Sequence, residues 1–230
     1  MSDKWLEISP KLLEVRDAMY SNSPESILPP QDCCFRALES VDPQEVRVVV
    51  LGQDPYHTPG KACGLAFGYH PNYKGPVDSS LANILTEVER DGFTRPEDLS
   101  LSGWAEQGVL LLNTRLTVEV GKPMSHANRA SGTPDMSSRR LGWEDAVRTI
   151  LSYLGQLDQP LVWMLWGREA QNAHYRSCPI QHEDHLVLVA SHPCRYSVDS
   201  GRFPFRSCHH FRDTNLFLRE HGLPEIDWSK

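Results

Sequence analysis

A chain of 230 residues can bury one sizeable core without disulfide or metal staples, and six cysteines are too sparse for a disulfide scaffold. With 23 basic and 30 acidic residues the formal charge is −7, which argues against a general nucleic-acid binder. No apolar run approaches the roughly 20 residues that a membrane span needs.

The charge is unevenly placed. Residues 1–50 hold nine acids and five bases, whereas Ser191 to Arg212 holds Arg195, Arg202, Arg206 and Arg212, three histidines and one acid, Asp199. A phosphate partner therefore stays open. The start, Met1-Ser2-Asp3-Lys4-Trp5, lacks the basic and apolar regions of a signal peptide. Reduced thiols are the default for so few cysteines, so a cytoplasmic or nuclear setting is expected.

Residues 1–44 read as a helical N-terminal part and 45–228 as the motif-bearing core. The most apolar run, Val46-Arg47-Val48-Val49-Val50-Leu51, predicts a strand covered on both faces, as in a parallel sheet. Directly behind it, Gly52-Gln53-Asp54-Pro55-Tyr56-His57 sets an amide, an acid, a phenol and an imidazole on a backbone path fixed by Gly52 and Pro55. Ligands of open α/β sheets bind at such strand ends. The competing reading is a polar turn with an Asx-type cap.

Thr58–Ser80 is loop-like. Leu81, Ile84, Leu85 and Val88 then recur at helical spacing behind Ser79-Ser80, which offer an N-cap. Val109–Leu112 predicts a second strand, ending in Asn113-Thr114, and Arg115–Arg140 is again loop-like. Trp143, Ala146, Val147, Ile150, Leu151 and Leu154 form a longer helical stripe. Leu161–Trp166 and Leu186–Ala190 predict two more strands, followed by Gly167-Arg168 and Ser191-His192-Pro193, with Asn172–Asp184 loop-like between them. Asp213-Thr214 opens a last helix through Leu216 and Phe217, stopped by Gly222 and Pro224. The alternation predicts a single-domain α/β fold: a central four-stranded parallel sheet flanked by helices on both faces.

All four strand ends would then emerge on one edge, bringing Asp54, Asn113, Arg168 and His192 together. Each has a blander reading: Asn113 as a strand-end cap, His192 as a surface-loop histidine, Tyr56 as a half-buried aromatic, Phe67 as core. Cys178, His182 and His185, with Cys194 and Cys208 nearby, sketch a metal site, but no CxxC pair accompanies them, and scattered thiols and surface histidines compete.

Five motifs in order resemble the family-1 uracil-DNA glycosylases over about residues 45–228. They are Gln53-Asp54-Pro55-Tyr56-His57, Gly64-Leu65-Ala66-Phe67, Leu110-Leu111-Leu112-Asn113, Leu165-Trp166-Gly167 and Ser191-His192-Pro193, and the closing Ile226-Asp227-Trp228 is also family-like. The resemblance implies a monomer that flips uracil out of single- or double-stranded DNA and hydrolyses its N-glycosidic bond, with no metal or cofactor. A protein partner is also open, either a proteinaceous uracil-glycosylase inhibitor or replication proteins.

Cleaving that bond builds positive charge on the sugar and negative charge on the departing base, as in glycoside hydrolysis. By the resemblance, Asp54 is a buried carboxylate that stabilises the sugar and orients water, while a neutral His192 donates to uracil O2. Phe67 stacks on the flipped base, and the Asn113 carboxamide donates to O4 and accepts from N3–H, a pattern cytosine cannot match. Tyr56 stands against C5 and excludes the thymine methyl, and main-chain amides near Gln53 hold the carbonyls. His57, Ser80, Ser191, Pro193 and Ser197 are implied as DNA contacts.

The sequence departs from the family at its rim. Where the family has His-Pro-Ser-Pro-Leu-Ser, with the Leu wedged into the duplex, this chain has His192-Pro193-Cys194-Arg195-Tyr196-Ser197. Tyr196, supported by Phe203 or Phe205, is the expected wedge, with Arg195 on phosphate or on a ring. The proline-rich loop before Ser80 is reduced to Pro76, the family's Gly-Ser is missing around His174-Tyr175, and Arg129–Arg140 reads as an insertion. Three rivals stay open: a non-catalytic DNA-binding relative, a metal hydrolase using Asp54, His57, His182 and His185, and a mismatch glycosylase of the wider superfamily.

Overall fold

The computed structural model describes residues 1–126, 142–178 and 182–230. In chain order its elements are α1 (Asp3–Ile8), α2 (Lys11–Tyr20), β1 (Ile27–Leu28), α3 (Arg36–Glu39), β2 (Val48–Gly52), α4 (Ser79–Arg90) and α5 (Ser102–Ala105). There follow β3 (Val109–Asn113), β4 (Val118–Glu119), α6 (Trp143–Leu154), β5 (Leu161–Trp166), α7 (Arg168–Ser177), β6 (His185–Ala190) and α8 (His210–Glu220).

The sheet is the predicted one: four parallel strands in the order β3-β2-β5-β6. Every residue of β2, β3 and β5 is buried, so both faces are covered, as their unbroken apolar sequences require. Val48 to Leu51 are wholly buried, at roughly 1.5–3 kcal/mol each. Helices α3 and α5 pack on the edge strand β3, α7 on β2 and β5, and α8 on β5 and β6. All six tryptophans are core residues. The closing Trp228 is one of them, edge-on to both Trp104 and Phe211, so that motif fastens the chain end to the core.

Register decides where the functional ends meet. Gly52 pairs with Asn113 at the ends of β2 and β3, and Trp166 with Ala190 at the ends of β5 and β6. The loops after these pairs therefore leave the sheet on one edge.

Some boundaries differ from the sequence expectation, each for a non-local reason. Helix α4 is capped by Asp78 rather than Ser79 or Ser80: its carboxylate accepts from Ser80 N at 2.9 Å and Leu81 N at 3.2 Å. Helix α8 begins at His210, three residues before Asp213, because Asp91 at the end of α4 accepts from Phe211 N and Arg212 N. Helix α7 occupies much of the span expected as loop. It lacks an apolar stripe and is tied to the sheet by Gln171, which donates to Leu165 O and Ala190 O. Strand β6 starts one residue early, at His185.

A second, two-stranded sheet was not anticipated. β1 and β4 pair antiparallel, Leu28 opposite Val118, and Gly121 N donates to His57 O, which pins the chain after β3 beside the loop that follows β2. The stretch Arg129–Arg140, expected as an insertion, lies outside the described residues.

Candidate active site

A cavity of about 380 Å³ opens at the carboxyl edge of the sheet, within the range of small-ligand sites. Its lining includes Gln53, Asp54, Tyr56, Phe67, Asn113 and His192, with His57 and Ser80 at the mouth. The set expected to converge does so, except Arg168. That residue lines an adjoining cavity of about 670 Å³, which shares Gln53 and His192 with the first.

The Gln53–His57 loop is fastened across the strand ends. Thr114 N donates to Gly52 O, and the Thr114 hydroxyl and Arg115 N both donate to Gln53 O. Asp54, expected to be buried, is half-buried. Its Oδ1 accepts from Gln53 Nε2 at 2.7 Å and its Oδ2 from Met124 N at 2.8 Å. A carboxylate has about four acceptor sites, so two such bonds orient it and leave capacity for water.

Asn113 is buried, yet no described residue hydrogen-bonds its carboxamide. Its Oδ1 lies so close to Gly52 that a Cβ built there would meet it at 2.1 Å. Gly52 is thus required by close approach, since it leaves the space that the amide occupies. Phe67 has φ 63° and its ring lies 5.5 Å from that of Trp166 and 6.0 Å from that of His192. Its carbonyl accepts from the Tyr56 hydroxyl at 3.1 Å, which joins the two aromatic walls.

His192 carries its protonation state in its geometry. Nδ1 accepts from Cys194 N at 3.1 Å, so the ring proton sits on Nε2. Burial pushes the imidazole pKa down, against smaller upward pulls from Asp78 and Asp54. A neutral donor is the outcome. Gly167, at φ 91°, leaves room for it, since a Cβ there would meet His192 Cβ at 2.9 Å.

A family model described as Uracil DNA glycosylase superfamily covers residues 39–219. The chain belongs to the uracil-DNA glycosylase family. It is 45% identical over 195 residues to the uracil-DNA glycosylase of Bordetella pertussis, covering 85% of this chain and 71% of that one. Against that of Bacillus pumilus it is 38% identical over 236 residues, covering 99% and 96%. The crystal structure of mimivirus uracil-DNA glycosylase superposes with a TM-score of 0.79 at 25% identity, covering 98% of this chain and 83% of that one.

At the rim of this uracil-DNA glycosylase the residues expected to touch DNA divide in two. His57, Arg195 and Tyr196 are exposed, Tyr196 to 78%. The Arg195 guanidinium sits 4.6 Å above the Tyr196 ring. Ser191, Pro193 and Ser197 also shape the loop. Ser191 Oγ accepts from Phe205 N, Ser197 Oγ donates to His192 O, and the buried Pro193 accepts from Asn83 through its carbonyl. Of the two proposed supports for Tyr196, Phe205 is wholly buried against Trp166 and cannot serve, while Phe203 is exposed.

The alternative metal set does not assemble. Among the described residues no group of three or more His, Cys, Asp or Glu is placed to hold an ion. His182 pairs with Asp158, and His185 contacts Leu157 O and Trp163. No helix of the described residues is long and apolar enough to cross a membrane. The sequence overlooked Met124 N, 70 positions from Asp54, and nothing local marks it. It also overlooked Lys61 and Asp78. A capping aspartate ahead of Ser79-Ser80 is a pattern that identifies Asp78.

Proposed function

We propose that the chemistry and the base choice of this glycosylase rest on Asp54, His192, Asn113, Phe67 and Tyr56, acting on a uracil flipped into the 380 Å³ cavity. The observation that carries the reading is their common lining of one cavity, with His192 as a neutral Nε2 donor. The enzyme hydrolyses the N-glycosyl bond of uracil in DNA and so starts base-excision repair. The C1′–N1 bond breaks with its electron pair on uracil, a water oxygen bonds to C1′, and the proton that water gives up balances the charge left on the departing uracil. Asp54 opposes the sugar's positive charge and orients that water. His192 donates to O2 as negative charge grows there, a contribution of about 3 kcal/mol for a pre-aimed donor.

Phe67 stacks on the base, and Asn113 reads O4 and N3–H with the carboxamide that no described residue engages. Main-chain amides near Gln53 hold the carbonyls. Tyr56 excludes a C5 methyl by contact. None of these steps calls for a metal or cofactor. His57, Ser80 and Arg195 grip phosphates, and Tyr196 enters the space vacated by the base, while Ser191, Pro193 and Ser197 hold the loop that presents them.

The chain is read as a monomer acting on single- and double-stranded DNA. A proteinaceous uracil-glycosylase inhibitor would compete with DNA for this edge, which gel filtration of the mixture with and without DNA tests; replication proteins are the other partner class. Six free thiols support a cytoplasmic or nuclear setting.

The roles are tested by Asp54→Asn. Single-turnover uracil release should fall by about three orders of magnitude or more, while DNA affinity changes little, because the carboxylate acts on charge that exists only in the transition state. A mutant within about tenfold of wild type removes Asp54 from the mechanism.

A further inference from the structure

Outside the set already described, one buried cation faces the site from behind. Lys61 is only 7% exposed, and its ammonium makes a 2.7 Å ion pair with Asp78. Three tyrosine rings enclose it, with centroids 4.3 Å (Tyr56), 4.5 Å (Tyr69) and 5.5 Å (Tyr73) from Nζ. The rings also support one another, Tyr56 edge-on to Tyr69 and Tyr69 edge-on to Tyr73, at 5.1 and 5.3 Å. An ammonium removed from water is costly unless paired, and ring faces recover part of that cost by cation–π attraction.

The backbone delivers Lys61 to this place. Ala62 bridges Tyr69, and His70 N donates to Lys61 O, so the chain doubles back and stacks the cage. Two of the cage's four partners lead into the site. Tyr56 lines the cavity. Asp78 caps α4, whose Ser80 is at the cavity mouth and whose Ser79 hydroxyl accepts from Arg195 N. Asp78 N in turn donates to the Tyr69 hydroxyl at 2.6 Å. A single cation thus ties the wall at Tyr56 to the helix end beside the Arg195–Tyr196 loop.

We propose that Lys61 is a specificity-determining positioning residue: held between Asp78 and the tyrosine faces, it fixes Tyr56 against the cavity and sets how strictly a pyrimidine with a C5 substituent is refused. This rests on the reading of Tyr56 as the C5 gate. Lys61 touches neither base nor sugar and acts only through Tyr56. Without the ammonium, Tyr56 loses the cation 4.3 Å from its ring centroid and Asp78 loses the ion-pair partner on Oδ2 while Oδ1 still caps α4, so the wall can give way to a larger base.

The test compares single-turnover release from single-stranded oligonucleotides carrying uracil or 5-bromouracil, whose substituent is about methyl-sized and whose base is a good leaving group. Lys61→Met should raise the bromouracil-to-uracil rate ratio by about tenfold or more, as expected from losing a desolvated cation–π contact. Lys61→Arg, which keeps a cation for the rings and for Asp78, should hold the ratio within about threefold of wild type. Adding Lys61→Met to Tyr56→Ala should leave the Tyr56→Ala ratio unchanged, since the lysine acts through that ring. If Lys61→Met does not fold, Lys61→Gln carries the same expectation.

A purely structural lysine would slow both bases equally and leave the ratio at its wild-type value, and that result overturns the proposal. Tyr56→Ala in the same assay separates the two levels. If it raises the ratio and Lys61→Met does not, the lysine proposal alone fails. If Tyr56→Ala leaves the ratio unchanged, the gate itself fails and the lysine proposal with it.

Discussion

Gly52→Ala should disable uracil reading by displacing the Asn113 carboxamide, with every side chain assigned to the base left unchanged in identity. A Cβ at position 52 would stand 2.1 Å from Asn113 Oδ1 and 3.0 Å from Ala66 Cβ, so the carboxamide must move by about 1 Å to restore contact distance. Such a shift exceeds the tolerance of a paired hydrogen bond. The donor to O4 and the acceptor from N3–H act together, at about 1–1.5 kcal/mol each net. The combined loss is about 2–3 kcal/mol, or roughly 30- to 150-fold in kcat/KM at about 1.4 kcal/mol per decade. Uracil release from a single-stranded oligonucleotide measures it, with thermal unfolding alongside to report any effect on the sheet. Asn113→Ala should lose a similar amount, and the double variant little more than either single one, because both remove the same contact. A Gly52→Ala enzyme within about threefold of wild type would refute the argument that the reading amide needs the space left by Gly52.

Other outcomes follow from the same geometry. Tyr56→Ala should give detectable thymine release from an oligonucleotide while uracil release persists; its absence removes Tyr56 as the gate. Tyr196→Ala should cut activity on duplex DNA by about tenfold and on single strands less, since base–aromatic stacking is worth about 1–3 kcal/mol; equal losses on both would mean general loop damage. Burial lowers the His210 pKa to about 4, and the neutral ring accepts from Trp166 Nε1. The unfolded state therefore takes up its proton first, so stability present above about pH 6.5 is lost as pH falls toward 4, by about 2 kcal/mol at pH 5. Urea unfolding at pH 7 and pH 5 should show a smaller difference for His210→Gln than for wild type, and equal differences would reject the assignment.

The sheet was legible because its signal is local. Strands buried on both faces must be apolar at every position, and Val48–Leu51, Val109–Leu112 and Leu161–Trp166 are. Parallel topology then fixed which ends meet, which made Asp54, Asn113 and His192 readable as a set. The resemblance to a known family supplied their roles, which composition and spacing alone did not.

What escaped the sequence depends on contacts between distant residues. The true start of α8 is set by Asp91, about 120 positions before the groups it caps. Helix α7 has no stripe because Gln171, not an apolar face, ties its first turn to the sheet. Asp54's partner at Met124 and the tyrosines around Lys61 are likewise invisible to local pattern. Pro193, Ser191 and Ser197 matched a DNA-contacting motif, yet their polar atoms are engaged in building the loop.

The central claim is that this chain's own side chains excise uracil from DNA without a metal ion. Incubating the enzyme with a single-stranded oligonucleotide containing one uracil, in excess EDTA, and measuring free uracil tests it most directly. The account predicts stoichiometric uracil and an abasic, alkali-labile strand, at a rate EDTA does not change and Asp54→Asn abolishes. Uracil release that stops in EDTA and returns with added metal, or that survives Asp54→Asn at the wild-type rate, would contradict it.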